Sequence, residues 1–166
     1  MADDYGGLLG AYPFALNRTS SWLLRSYVVV SALVGAFVAL LLALGLVTWL
    51  AGPTPLVGQN ALLGVIGILV LAPLAAPVLI VARRHRLGDD RPRVDALFAL
   101  AGYAFVASTY LALLITDPSR HTLGGPGDRL LAVVDALPGR YGLVPPIVAA
   151  AAILAVARLT TRRATE

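Results

Sequence analysis

The sequence predicts an all-α integral membrane bundle of four transmembrane helices, and three observations carry that prediction. Of the 166 residues 58% are apolar and only 13% charged, with a mean hydropathy of +0.82, whereas a soluble domain carries about 25% charged residues. Between Arg25 and Arg83 no Asp, Glu, Lys, Arg or His occurs, a run too long for a soluble core of this size to hide. The remaining apolar residues fall into further stretches near the length that a helix needs to cross about 30 Å of hydrocarbon.

The first span is expected at about 22–50. Ser20 or Ser21 caps its start, Gly52-Pro53 stops it, and Trp22 and Trp49 stand at opposite interfaces. A short uncharged linker with Pro53 and Pro55 leads to the second span, about 61–82, so the two read as a helical hairpin. Pro73 and Pro77 lie inside that second span and predict a kink, with neighbouring helices satisfying the backbone carbonyls that proline frees. The third span covers about 94–116 and ends at Asp117-Pro118. The fourth, about 141–161, has an uncharged stretch of less than about 20 residues, so Arg158 must snorkel, while Pro145-Pro146 fit its first turn.

Two amphipathic stretches accompany the spans. Residues 127–137 place Leu130, Leu131, Val133, Val134 and Leu137 on one helical face, which predicts a short interfacial helix between the third and fourth spans. A less regular stretch in the N-terminal segment 1–21, through Tyr5, Leu8, Leu9, Tyr12 and Phe14, is expected to lie along the inner membrane surface. The chain starts acidic and lacks a basic segment leading directly into an apolar one, unlike a removable signal peptide. Residues 162–166 form a tail.

The formal charge of +4 comes from arginine alone, and most arginines flank the hydrophobic segments. That is a topology signal rather than a nucleic-acid footprint. Arg83, Arg84, Arg86, Arg91 and Arg93 crowd the second linker, and Arg158, Arg162 and Arg163 follow the fourth span. A multi-pass protein of the cell membrane with both termini in the cytoplasm follows from the positive-inside rule. Cysteine is absent, which excludes disulfides, thiolate metal sites and cysteine nucleophiles.

Candidate chemistry is sparse. No ionisable residue falls in the central part of any span, which argues against a proton-coupled pump. His85 and His121 are expected on opposite faces, His85 as a solvated member of the basic patch. Asp89, Asp90 and Asp95 lack the spacing of a Mg²⁺–diphosphate motif, and Asp90 or Asp95 suits the start of the third helix. No catalytic residue, cofactor or metal site is assigned. The clearest packing signal is the small-residue stripe Ser31, Gly35, Ala39 and Ala43 on the first span. Gly64, Gly67, Gly102, Ser108 and Thr109 are further candidates for close helix contact.

The runs 5–14 (YGGLLGAYPF), 22–27 (WLLRSY) and 76–86 (APVLIVARRHR) resemble uncharacterised four-helix membrane proteins of halophilic archaea. The resemblance spans most of the chain and implies an archaeal source but no activity; the +4 balance departs from the acidic habit of halophile proteins.

The reading these residues favour is a non-enzymatic accessory or assembly subunit acting through helix packing and the arginine-rich loop. Its expected partners are membrane lipids and either another membrane protein or a second copy of the chain, not nucleic acid. A small transporter or channel component, lined by the Pro73/Pro77 helix and by Ser108, Thr109 and Tyr110, is the alternative. An enzyme acting on lipid requires Asp89, Asp90 or Asp95 to converge with His85.

Overall fold

The computed structural model describes residues 7–51, 57–116 and 137–162. Five α-helices follow in order: α1 Gly7–Arg18, α2 Trp22–Ala51, α3 Val57–Arg86, α4 Pro92–Thr116 and α5 Val144–Arg162, with a 3-10 turn at Gly139–Tyr141 before α5. Helices α2 to α5 contain four segments long and apolar enough to cross a membrane. The predicted interfacial helix at 127–137 and His121 lie outside the described residues, apart from Leu137.

Local chemistry sets the helix boundaries. Ser21 Oγ accepts the Leu24 N–H at 3.4 Å, so Ser21 is the N-cap of α2. Helix α2 has 30 residues, about 45 Å at 1.5 Å per residue, longer than the hydrocarbon core is thick. Helix α3 is equally long; it begins four residues before the predicted start and absorbs Arg83 to Arg86 into its last turn. Proline opens α4 at Pro92 and occupies the first turn of α5 at Pro145 and Pro146, where a missing N–H breaks no helical bond.

The N-terminal stretch forms α1, whose Ala11 and Ala15 are fully buried in the bundle. These two residues are one helical turn apart, and small side chains there let α1 approach α3 closely. Glycine and proline had hidden the helix, since both depress helical propensity within the segment.

The α3–α4 hairpin is the centre of the bundle. Helix α2 packs against both of its members, α1 against α3, and α5 mainly against α4. A core at the end where α2 and α4 begin joins Leu24, Tyr27, Val28, Val78, Val81, Ala82, Phe98 and Ala99 to Ala11 and Ala15. A second core, further along the helices, joins Leu74, Phe105, Ala149 and Ile153.

Helix α3 runs through Pro73 and Pro77 without a break. Beside them, the Tyr27 hydroxyl donates to the Leu74 carbonyl oxygen at 2.7 Å, a hydrogen bond that satisfies a buried phenol in a water-poor interior. The ring of Tyr27 occupies the space that a side chain at Gly102 would need: a Cβ there would fall 2.6 Å from Tyr27 Oη and closer to two ring carbons. Tyr103 meets Tyr27 edge-on with centroids 5.2 Å apart and donates its own hydroxyl to Ser26 Oγ at 2.9 Å. Tyr27, Gly102 and Tyr103 therefore fix how α2, α3 and α4 sit together.

Gly102→Ala is expected to push Tyr27 off the Leu74 carbonyl and to destabilise the bundle by about 1–3 kcal/mol, the usual cost of overpacking. Thermal unfolding of the detergent-solubilised variant checks this. Gly67→Ala crowds Leu42 from Cγ, at 2.9 Å, to both methyl groups, and should cost less because a leucine side chain shifts more easily than the buried Tyr27 ring.

Candidate functional site

The chemistry-bearing residues gather at the end of the bundle where α3 stops and α4 starts. Backbone geometry builds that corner first. Helix α3 ends with the Gly88 N–H donating to His85 O at 3.1 Å and the Asp89 N–H donating to Arg84 O at 3.1 Å. Gly88 takes a left-handed φ of 78°. This is a Schellman motif, and a glycine is the residue that adopts its left-handed position without steric cost. The turn folds Asp89 back onto Arg84, and Pro92 then launches α4.

Asp89 receives two arginines. Arg84 donates from Nε at 3.1 Å and Nη2 at 2.8 Å, both to Oδ2. Arg91 spans both carboxylate oxygens, at 2.7 Å from Nε and 2.8 Å from Nη2. The Arg91 hydrogen bonds, reinforced by Arg84, hold the Asp89 carboxyl well below the usual carboxylate range against the opposing effect of burial. Arg91 is correspondingly raised by its hydrogen bonds to Asp89.

Asp95 lies deeper, in the first turn of α4 and only 1% exposed. Its Oδ2 accepts the Thr19 hydroxyl at 3.0 Å and lies 2.7 Å from His85 Nε2. Thr19 Oγ1 in turn accepts the Ser21 N–H at 3.1 Å, so its own proton is committed to Asp95. Arg25 Nε donates to the Thr19 carbonyl at 3.0 Å. The other ring nitrogen of His85, Nδ1, lies against Asp90 Oδ1. Arg84 Nη1 stands 3.7 Å from Asp95 Oδ1, too long for a hydrogen bond, with the guanidinium 5.9 Å from the centre of the Phe98 ring. Pairing of the buried groups is partial: Asp95 Oδ2 is hydrogen-bonded, whereas Arg84 Nη1, His85 Nδ1 and Asp95 Oδ1 are buried without a hydrogen-bond partner among the described residues.

His85 corrects the sequence reading. Its side chain is 3% exposed and paired, not solvated in a basic patch. Asp95 stands in the first turn of α4 as expected, and its carboxylate also serves Thr19 and His85. The five loop arginines divide: Arg84 is buried and Arg91 is tied to Asp89, whereas Arg83, Arg86 and Arg93 are exposed. The convergence of His85 with Asp90 and Asp95, named above as the condition for a lipid enzyme, does occur. The hydroxyl beside it, however, is 1% exposed and fully hydrogen-bonded, which suits a structural clamp rather than a nucleophile. Among the described residues, no group of three or more His, Cys, Asp or Glu is placed to hold a metal ion.

The sequence did hold a signal for this cluster. Asp95, Phe98, Ala99 and Gly102 are buried at helical spacing on α4. His85 continues the stripe of Val78, Val81 and Ala82 on α3. Charged residues on a buried stripe call for partners.

The small-residue stripe on α2 splits in two. Ser31 is buried, its hydroxyl donating to Val28 O at 3.1 Å, and Gly35 lies close to Leu74. Ala39 and Ala43 are exposed. Ser108 and Thr109 both donate to the Phe105 carbonyl of their own helix, and Tyr110 points outward.

A model of the family described as "Domain of unknown function (DUF8056)" matches residues 1–161, and the chain belongs to that family. No curated protein and no solved structure matches it significantly.

Asp95→Ala would leave His85 and Thr19 facing an empty space and is expected to cost about 3–5 kcal/mol, the scale for breaking a buried pair. Unfolding in mixed micelles measures it. For Asp89, whose carboxyl is lowered in the fold, the stabilisation is fully present above the ordinary carboxylate range and is lost as pH falls through the lowered value. Stability should therefore fall as pH is lowered from the ordinary carboxylate range toward that lowered value, and Asp89→Asn should remove this part of the acid dependence in a pH series of unfolding measurements.

Proposed function

We propose that this member of the DUF8056 family is a non-enzymatic accessory or assembly subunit of the cell membrane that acts through helix packing, with both termini in the cytoplasm. The observation that carries this reading is the division of the α2 stripe. Its first half is used inside the bundle at Ser31 and Gly35, and its second half, at Ala39 and Ala43, is exposed. Small residues facing outward at membrane depth allow another helix to approach the backbone closely, an advantage that lipid tails do not use. The occupant we assign is a helix of a larger membrane protein.

The basic end supports the orientation. Among the described residues every arginine except Arg140 lies at the end where α3 stops and α4 starts. Arg83, Arg86 and Arg93 are exposed there and suit anionic headgroups at about 1 kcal/mol each. Trp22, 79% exposed at the start of α2, suits the interface at the same depth. For the transporter alternative, Ser108 and Thr109 bond to their own helix and offer no shared hydroxyl lining.

Purification in mild detergent followed by native mass spectrometry tests the proposal. The expected result is a reproducible complex with a larger membrane protein that Ala39→Leu or Ala43→Leu weakens while the subunit stays folded. A homo-oligomer alone, or a complex indifferent to both substitutions, would overturn it.

A further inference from the structure

We propose that a single water molecule binds between Arg84 Nη1 and Asp95 Oδ1, and that this bridge joins the salt-bridged loop after α3 to the buried cluster around Asp95. The inference is independent of the accessory-subunit reading.

Two hydrogen-bonded networks meet here without a direct bond between them. In the first, Arg84 donates from Nε at 3.1 Å and from Nη2 at 2.8 Å to Asp89 Oδ2, and Arg91 grips the same carboxylate. In the second, Asp95 Oδ2 accepts the Thr19 hydroxyl at 3.0 Å and lies 2.7 Å from His85 Nε2. One atom of each network is left over. Arg84 Nη1 and Asp95 Oδ1 are both buried, and neither has a hydrogen-bond partner among the described residues. They stand 3.7 Å apart, on side chains that are 10% and 1% exposed.

A donor and an acceptor held away from solvent carry a desolvation cost that a hydrogen-bond partner removes. The separation is fixed from both sides, so the two atoms do not simply close on each other. Moving Nη1 toward Asp95 would swing the guanidinium off Asp89 and away from the Phe98 ring, whose centre lies 5.9 Å from it. Turning the Asp95 carboxyl toward Arg84 would break its contacts with Thr19 and His85. An oxygen about 2.8 Å from each atom spans the 3.7 Å separation with both hydrogen bonds at ordinary length.

The polarity of the pair selects the occupant. A cation would lie against the Arg84 guanidinium and an anion against the Asp95 carboxylate, each repelled at close range where the dielectric is low. The occupant must instead accept from Nη1–H, donate to Oδ1, and be small enough to sit between two buried side chains. Water does all three, and buried waters are held by about 2–4 polar partners. His85 Nδ1, a further buried atom lacking a partner, lies against Asp90 Oδ1, and the bridge does not require it. Arg84 belongs to the last turn of α3 and Asp95 to the first turn of α4. The water therefore ties the two helices together inside the bundle, in addition to the loop that connects them outside it.

Two measurements on the full-length protein test the site. In a crystal structure from a lipidic mesophase, at a resolution that shows ordered water, density for one water is expected within about 3.2 Å of both atoms. In nanodiscs, rotating-frame NMR of protein labelled with ¹⁵N-arginine separates dipolar contact with water from proton exchange by the sign of the cross-peak. The Arg84 Nη1 protons should show the dipolar sign, and Arg84→Lys should abolish that cross-peak. A direct Nη1–Oδ1 hydrogen bond with no oxygen between them, a water that touches only one of the two atoms, or Arg84 Nη1 protons without dipolar contact to water would each overturn the inference.

Discussion

A single buried carboxylate organises this bundle. Asp95 sits in the first turn of α4, where the apolar stripe of that helix turns inward, and a charge placed there is tolerable only with partners. Those partners come from different parts of the chain: His85 from α3 and Thr19 from the turn between α1 and α2. Satisfying Asp95 therefore fixes the hairpin and the α1–α2 corner together. Hydrocarbon supplies little drive to associate apolar helices, since lipid is as apolar as the side chains. Directional polar contacts at one end, and close steric fit above them, have to specify the arrangement.

The steric part is centred on Tyr27. Its ring lies against Gly102, its edge meets Tyr103, and its hydroxyl reaches Leu74 on the proline-bearing helix. Three helices are thus gauged against one aromatic side chain. The polar cluster and the tyrosine act at successive depths, and between them lie Leu24, Val28, Val81, Ala82, Phe98 and Ala99, which need only fill space.

Much of this was legible in the sequence because hydropathy and length alone decide which segments can span lipid. The four apolar helices, the Ser21 cap and the prolines in the first turn of α5 all follow from local chemistry. Helix α1 was harder: Pro13 and several glycines mask a segment whose helix is held by packing rather than by propensity. The His85 pairing was missed for a different reason. Read along the chain, His85 belongs to an arginine run and invites a solvated interpretation; its partner Asp95 is ten residues away across a turn. The helical phase of both residues, each continuing a buried stripe, was the available clue.

The connection between α3 and α4 is five residues long and has almost no slack. Gly88 reverses the chain, Asp89 is gripped from both sides, Asp90 touches the histidine, Arg91 closes the fork and Pro92 begins the next helix. Surface loops ordinarily absorb insertions and deletions at little thermodynamic cost. This one behaves as a joint with a fixed part count, so length variation within the family should be sought in the other connections, and an epitope or fluorescent tag belongs anywhere but here.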